Sequence, residues 1–170
     1  MTIKLRKSDI HSGSLYISGT YICDTEENPR TALPEGTYRI VRHHCKQYNR
    51  YMPIVICHPE QNEGSEDINL RCTHCQLSLE EEEEVTLNTV MPCICPMLKP
   101  GNGVHHREDG SILLGTRIVP GCLSHPLDAF NPLSERIRKA TSRGKEITLI
   151  IQSSPVIQRN EVTNGFGNTH

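Results

Sequence analysis

The sequence predicts a mainly β fold, a compact barrel or sandwich with one flanking helix. Short segments of alternating apolar and polar residues recur over the first sixty residues, between turn-forming Gly and Pro residues. Apolar runs return at residues 112–119 and 146–152, and the segment between them contains a single stretch of helical periodicity. A chain of 170 residues is long enough for one such domain with its own core.

The first third of the chain contains the clearest strand signals. Residues 14–18 and 20–24 flank Gly19, a pattern typical of a tight hairpin between two short strands. Further on, Pro34 and Gly36 predict a turn before an alternating strand at 37–41. A later apolar run, residues 51–57, contains Pro53, which favours an edge strand or a bulge.

Residues 58–96 differ in composition from the segments on either side. They are polar at first, contain an unbroken acidic run at 80–84, and carry four cysteines. An acidic run of this length is typical of a solvated segment. It could bind a cation, but adjacent carboxylates in a strand would point to opposite faces. We therefore expect a Cys-rich, acidic insertion within a single β-rich domain spanning residues 1–152. Polar residues and glycines then predict a flexible tail at 153–170.

One helix is predicted over residues 131–142. Asn131 is a suitable N-cap, Pro132 suits the first helical position, and Glu135 has capping-box spacing near the start. Gly144 predicts the end of the helix, before a buried closing strand. The apolar face of the helix consists of Leu133, Ile137 and Ala140.

The charge balance excludes some classes of partner. Eighteen basic and twenty acidic side chains give a formal net charge of −2, without a large basic block, which argues against nonspecific nucleic-acid binding. The absence of Trp and the presence of only two Phe argue against a base-stacking surface. No apolar run approaches the roughly 18 residues of a membrane helix, and the N-terminal residues lack the apolar core of a signal peptide. We expect neither a nucleic-acid nor a membrane partner, and a cytoplasmic (host cytosol) or virion location.

Two close pairs of cysteines predict a metal site. In a reducing compartment, spaced cysteine pairs indicate metal binding rather than disulfides. A C-x2-C pair and a C-x-C pair, separated by seventeen residues, can supply the four thiolates of a tetrahedral Zn²⁺ site. The predicted zinc ligands are Cys72, Cys75, Cys93 and Cys95.

Other interpretations of these cysteines stay open. They could be reduced thiols packed as small apolar groups, or disulfides if the protein is exported. A histidine could replace one thiolate, the candidates being His58, His74, His105 and His106. The strand-like contexts of Cys23, Cys45 and Cys57 predict core positions.

Four motifs in order resemble a domain family of unknown function found in bacteriophages and bacteria. Members of that family share a short hairpin, a T-A-[IL]-P-x-G-T-Y turn, an H-x-G-N segment, a G-C-I-x-x-G segment, a helix and a closing I-T-I strand. The corresponding segments here are T-A-L-P-E-G-T-Y at 31–38, P-G-N at 100–102, G-S-I-L-L-G at 110–115 and E-I-T-L at 146–149. The resemblance covers residues 12–57 and 97–151 and leaves out the insertion.

Two segments of that family are in turn similar to the catalytic strand of the L,D-transpeptidases. In those enzymes a histidine activates a cysteine nucleophile that attacks a peptidoglycan tetrapeptide. In this chain Lys99 stands in place of the histidine and Ser111 in place of the cysteine. The resemblance therefore implies a transpeptidase-like cleft whose ordinary chemistry is lost.

An enzymatic alternative remains open, as a cell-wall peptidase or transpeptidase. Lys99 and Ser111 could form a Lys–Ser pair for acyl transfer, or His105 or His106 could activate Ser111. Cys122 could be a displaced nucleophile with His125 as its base.

The main prediction is a non-catalytic binding protein, associated with a phage or mobile element. It would hold a small anionic ligand or a protein partner in the cleft, either sequestering a host signalling molecule or serving as an accessory virion component. A third hypothesis is a zinc-stapled module in which the insertion alone captures the partner. The predicted ligand-binding residues are Lys99, Gly101, Asn102, His105, His106, Arg107 and Ser111.

Overall fold

The structure, a computed structural model, describes residues 1–45, 48–56, 96–103 and 110–154. These ranges contain nine strands and one helix. In chain order the elements are β1 (Thr2–Lys7), β2 (Ser12–Ile17), β3 (Thr20–Glu26), β4 (Gly36–Cys45), β5 (Arg50–Ile56), β6 (Leu98–Pro100), β7 (Ile112–Val119), β8 (Cys122–Ser124), α1 (Pro126–Ser142) and β9 (Ile147–Ser153).

The strands form one sheet in the order β5-β4-β9-β1-β2-β3-β7-β6, with β8 added to β7. The hairpin predicted around Gly19 is confirmed: β2 and β3 are antiparallel, and the turn residues Ser18 (φ 50°) and Gly19 (φ 81°) both adopt the left-handed conformation. Two pairings are parallel, β1 with β9 and β6 with β7. Alternating burial along β1 turns Ile3 and Leu5 towards the core.

The two ends of the sheet approach each other and nearly close it into a barrel. The backbone N–H of Val55 donates a hydrogen bond to the carbonyl of Pro96 (2.8 Å), and Ile54 forms an isolated bridge with Met97. These contacts join the region of β5 to the residues that precede β6. The predicted mainly β barrel with one helix is thereby confirmed.

Helix α1 covers one end of the barrel. Its buried face, Phe130, Leu133, Ile137 and Ala140, belongs to the same apolar core as the strands. At the start of β5, the Arg50 guanidinium lies 4.6 Å from the ring centroid of Phe130. The strand directions place the starts of β1, β3, β5 and β9 at this end, together with the ends of β2, β4 and β7.

The predicted start of the helix was wrong. Helix α1 begins at Pro126, the first helical position, after the N-cap His125, and Pro132 lies inside it. An internal proline removes one helical hydrogen bond and is unfavourable in isolation. The burial of Phe130 in the core stabilises the first turns and offsets that cost. The predicted apolar face is confirmed, and Gly144 (φ 67°) follows the C-cap Arg143 as expected.

Other sequence predictions fall partly on the described residues. Cys23 and Cys45 are buried, as predicted, whereas Cys57 lies outside the described residues. Residues 58–95, which make up nearly all of the predicted insertion, and residues 155–170 of the predicted tail also lie outside the described residues. Strand β9 continues to Ser153, one residue past the predicted domain boundary. No helix in the described ranges is both long enough and apolar enough to span a membrane.

Candidate functional site

The candidate site lies at the end of the barrel opposite α1, called here the open end. Strands β1, β3, β5 and β9 end there, and β2, β4, β6 and β7 begin there. Residue Ser111, which precedes β7, lies at this end together with the loops that follow β1 and β3. The topology thus brings segments far apart in sequence to one edge of the fold.

Ser111 is buried and its hydroxyl group is engaged by the backbone. Its exposed fraction is 3%, and its Oγ accepts a hydrogen bond from the N–H of Met97 (3.1 Å). Met97 directly precedes β6, so this bond ties the starts of two neighbouring parallel strands together. A nucleophilic serine needs a hydroxyl group that a substrate carbonyl can reach. The described surroundings of Ser111 do not provide that access.

Lys99 is also buried, with an exposed fraction of 1%. It is paired with Leu113 across the β6–β7 ladder, and Leu113 is paired in turn with Glu26 of β3. Ser111 lies two residues before Leu113, so Lys99 and Ser111 occupy the same face of adjacent strands, offset by roughly 6.6 Å along the strand direction. The structure therefore brings together the two positions that the resemblance aligns with a catalytic pair, but places both in the interior.

The residues after β6 connect it to β8. A Cβ atom on Gly101 would lie 2.7 Å from the side chain of Leu113, so glycine here permits close packing against β7. Asn102 is exposed, and its carbonyl accepts a hydrogen bond from the N–H of Leu123 (2.9 Å). The other three predicted ligand-binding residues, His105, His106 and Arg107, lie outside the described residues.

Cys122 lies at the other end of β7, whereas His125 follows Ser124, which is paired with Thr116 in the middle of β7. Cys122 is exposed on β8 and is paired with Val119, the last residue of β7. Eight residues of extended chain separate Val119 from Ser111, a span of roughly 26 Å. His125 has a left-handed backbone (φ 49°), and its Nδ1 lies 2.9 Å from Ser124 Oγ. The two candidate nucleophiles, Ser111 and Cys122, therefore cannot serve a single active site.

The open end contains a buried ion pair that the sequence analysis did not single out. Lys7 Nζ lies 3.0 Å from Glu27 Oε2 and donates a hydrogen bond to the carbonyl of Leu33 (2.6 Å). The N–H of Leu33 donates to Glu27 Oε1 (3.0 Å). Burial raises the pKa of Glu27 above its ordinary value, although the ammonium group of Lys7 opposes the shift. The pair holds the loop that follows β3 against the end of β1.

A second buried network surrounds Glu26. Its carboxylate accepts hydrogen bonds from Ser12 Oγ (2.9 and 3.1 Å) and from Arg117 Nε (2.9 Å). The N–H of Arg117 donates to Asp24 Oδ2 (2.9 Å), and its guanidinium Nη2 donates to the carbonyls of Gly13 and Thr25 (both 2.9 Å). Arg117 thus satisfies acceptors on both β2 and β3, and the network fixes β7 against them.

A cavity of about 540 Å³ opens beside the Lys7–Glu27 pair. Asp9 and Glu35 are exposed carboxylates in its wall. Partial burial would raise the pKa of Asp9, but hydrogen bonds from the N–H groups of His11 and Ser12 outweigh it and lower the pKa. Glu35 accepts hydrogen bonds from the N–H (3.1 Å) and the hydroxyl group of Ser153. The lining comprises Lys7, Ser8, Asp9, Ile10, Pro29, Ala32, Leu33, Pro34, Glu35, Ser153 and Ser154.

The alternation of apolar and polar residues along β1 could have identified Lys7 as a buried, inward-facing residue. Ile3, Leu5 and Lys7 alternate with exposed residues, so a lysine continues the inward-facing positions of an apolar strand. A lysine in such a position needs a buried carboxylate, and Glu26 and Glu27 at the end of β3 are adjacent candidates. The choice between them depends on the packing of the loop over 27–33, which the pattern does not specify.

The predicted zinc ligands Cys72, Cys75, Cys93 and Cys95 lie outside the described residues, so the zinc site stays a prediction. Within the ranges that are described, no three His, Cys, Asp or Glu side chains are grouped in a way that could hold a metal ion. Comparison of the chain with protein-family profiles, curated proteins and solved structures found no match in any of the three.

Proposed function

We propose that this protein is a non-catalytic binding protein that holds its partner at the open end of the barrel. The observation that carries the proposal is the burial of Lys99 and Ser111, with the Ser111 hydroxyl group bonded to the backbone N–H of Met97. The same edge of the fold presents loops and a cavity to solvent. Neither Lys99 nor Ser111 lines this cavity, so the same end of the barrel has an inaccessible serine and a separate accessible recess, which favours binding over acyl transfer.

The charges of the cavity favour a protein partner over a small anion. Lys7 is the one basic residue among the described residues of its lining, and Glu27 neutralises it. Asp9 and Glu35 add negative charge, so an anion would meet repulsion at this recess. Ile10, at the rim, is 65% exposed and offers an apolar contact. A protein segment with an apolar side chain and hydrogen-bond donors would complement this surface.

The resemblance to a phage and bacterial family supports a phage-associated setting. An accessory role within the virion needs protein–protein contacts, which agrees with the charge pattern of the cavity. Sequestration of an anionic host signalling molecule would instead depend on Lys99 and on residues 105–107 of the predicted cleft. Both settings place the chain in a host cytosol or a particle.

Incubation with purified muropeptides tests the absence of catalysis. We expect no cleaved or cross-linked product above the protein-free level for the wild type, because Ser111 is buried and the Nδ1 of His125 lies against Ser124 Oγ. Mass spectrometry of the reaction gives the readout. Product formation by the wild type that is lost in Ser111→Ala or in Cys122→Ala would overturn the proposal and establish the enzymatic alternative.

Affinity capture from lysate of the source cells tests the binding surface. We expect one stoichiometric protein partner with the wild type and its loss with Ile10→Asp, which places a charge at the cavity rim. Ile118→Asp is the matched control, because Ile118 is also 65% exposed but lies towards the other end of β7. Equal recovery by the Ile10→Asp and Ile118→Asp variants would contradict a partner site at the open end.

A chain that lacks the insertion separates this proposal from the third hypothesis. Val55 and Pro96 are hydrogen-bonded to each other, so a short Gly-rich linker can replace residues 58–94 without separating β5 from β6. Full partner recovery by this variant supports the open end as the binding surface. Complete loss of recovery with the fold intact would assign capture to the insertion.

A further inference from the structure

A second pocket lies at the end of the barrel that α1 covers. Its volume is about 410 Å³, and it lies between the last two turns of α1, the start of β1 and the end of β2. Ile17 and Ala140 provide buried apolar contacts in its lining. Among the described residues that line it, four are basic (Arg136, Lys139, Arg143 and Lys145) and none is acidic.

The spacing of these residues directs them to one side of the helix. Arg136 and Lys139 are three residues apart on one face of α1, and the C-cap Arg143, four residues after Lys139, continues that side. Gly144 (φ 67°) then reverses the chain direction and brings Lys145 to the same pocket. The pocket therefore concentrates positive charge in a protein whose net charge is −2.

Most of this charge has no internal counter-ion. The nearby carboxylate, Glu135, is held by Arg138 through two hydrogen bonds of 2.7 Å, which lower the pKa of Glu135 to about 2. Lys139 lies 3.7 Å from the same carboxylate. In the part of the chain that the structure describes, no carboxylate lies within ion-pair distance of Arg136, Arg143 or Lys145.

Stabilisation of the helix end does not account for the cluster. Basic residues interact favourably with the C-terminal end of a helix, but the effect is confined to the last turn. Arg136 lies six residues before Ser142, roughly 9 Å along the axis. The carbonyls of Ala140 and Thr141 already accept hydrogen bonds from the N–H groups of residues 143, 144 and 145. Capping therefore needs the side chain of neither Arg136 nor Lys145.

We propose that this pocket binds the phosphate groups of a small phosphorylated molecule. Two guanidinium groups and two ammonium groups match a ligand with at least two negative charges, and arginine forms bidentate hydrogen bonds with phosphate oxygens. The volume and the apolar contacts suit a small ligand with a non-polar portion. A concave pocket differs from the extended basic stripe that a nucleic-acid backbone requires. The site is separate from the open end and does not depend on the function proposed there.

Calorimetric titration of the full chain with inorganic pyrophosphate at 150 mM salt is the direct test. We expect saturable binding with a submillimolar Kd, and a loss of affinity of tenfold or more in Arg136→Gln and in Arg143→Gln. Arg138→Gln is the matched control, because it removes the same charge from the same helix but from a side chain that faces Glu135. Its Kd is expected to stay within about twofold of the wild type.

Parallel measurements distinguish the source of the phosphate. A nucleoside triphosphate should bind at least as tightly as pyrophosphate and compete with it, while a single-stranded 20-nucleotide DNA and vesicles with 30% phosphatidylserine should not bind at that salt concentration. The absence of pyrophosphate binding, or equal weakening by Arg136→Gln and Arg138→Gln, would overturn the proposal. Binding of DNA or vesicles tighter than of the nucleotide would also overturn it. Unchanged thermal unfolding of all three variants confirms that the fold is retained.

Discussion

Lys7 and Glu27 form a buried ion pair at the open end. Removing one partner of such a pair leaves the other charge buried without compensation, at a cost of about 3–5 kcal/mol. Replacing both by apolar side chains of similar size is often neutral or stabilising. The same ion pair anchors the loop that lines the cavity, since Lys7 and Glu27 both bond to the backbone of Leu33. The pair therefore shapes the open end more than it stabilises the whole fold.

The titration of Glu27 tests this arrangement. Its pKa is raised from an ordinary value of 4.5 because burial disfavours the charged carboxylate more than Lys7 favours it. The folded state thus holds the proton more tightly than the unfolded chain. The stabilising contribution is therefore fully present below pH 4.5 and is lost as the pH rises through the raised pKa.

We expect Lys7→Met to raise the pKa of Glu27 further, because the attraction of the ammonium group is removed. Carboxyl NMR gives this pKa directly, and thermal unfolding at pH 4 to 8 should show a steeper loss of stability in the variant. Lys4→Met is the control, since Lys4 lies on the exposed face of the same strand. An unchanged or lower pKa in Lys7→Met would contradict the assigned pair.

At the scale of elements, Gly115 explains how β8 packs against β7. A Cβ atom at this position would lie 2.7 Å from the carbonyl oxygen of Ser124 and 2.8 Å from Cβ of Leu123. Both distances are shorter than side chains tolerate, and one of the opposing atoms is backbone, which cannot rotate away. The close packing of β8 against β7 therefore requires a residue without a side chain at position 115. Strand β8 in turn positions the start of α1.

Gly115→Ala is expected to lower the free energy of unfolding by about 1–3 kcal/mol through overpacking. It should also speed the amide exchange of Leu123, whose N–H bonds to the carbonyl of Asn102. Gly36→Ala is the control, because a Cβ atom there would meet only the Tyr38 side chain at 3.5 Å. Urea unfolding compares the two variants, and equal destabilisation would show that the contact with β8 is not the cause.

At the scale of the whole molecule, the barrel is closed at the point where the insertion leaves and returns. Val55 and Pro96 are hydrogen-bonded across forty-one positions of sequence, at the join between β5 and the residues before β6. Because its two ends are adjacent, an insertion of this length adds only a modest loop-closure cost to the barrel. The barrel and the predicted zinc site can therefore be separated by experiment.

We expect the full chain to contain one zinc ion, measured by native mass spectrometry and elemental analysis, and the variant with residues 58–94 replaced by a linker to contain none. The double substitution Cys72→Ser and Cys75→Ser should also abolish zinc, since it removes two of four thiolates. The barrel core should unfold cooperatively in both variants. An equal zinc content in the linker variant would contradict the predicted ligand set.

Much of the local structure was predictable because it follows from neighbouring residues. The hairpin at Gly19, the bounds of β7 and the apolar face of α1 all come from periodicity and turn chemistry within about ten residues. The start of α1 was not predictable in this way. Pro132 and Asn131 carry strong local start signals, but the burial of Phe130 outweighs them.

The candidate site was predictable only in part. The parallel β6–β7 register places Lys99 and Ser111 on the same face of adjacent strands, whereas Gly101, one residue beyond the Pro100–Leu114 pair, lies roughly 13 Å along the strand direction from Ser111. The burial of Lys99 and Ser111 could not be deduced from the sequence, because it depends on packing against segments that are distant in sequence. The same is true of the pairing of Lys7 with Glu27 rather than with Glu26.

By itself, the sequence determined that this chain is a mainly β domain with one helix, because alternation, turns and helical periodicity are local properties. The tertiary structure alone decided that Ser111 and Cys122 lie at opposite ends of β7, that Lys99 is buried, and that four basic side chains surround one pocket beside α1. The reason is physical: strand register and helix docking depend on long-range burial, and they fix which distant residues become neighbours.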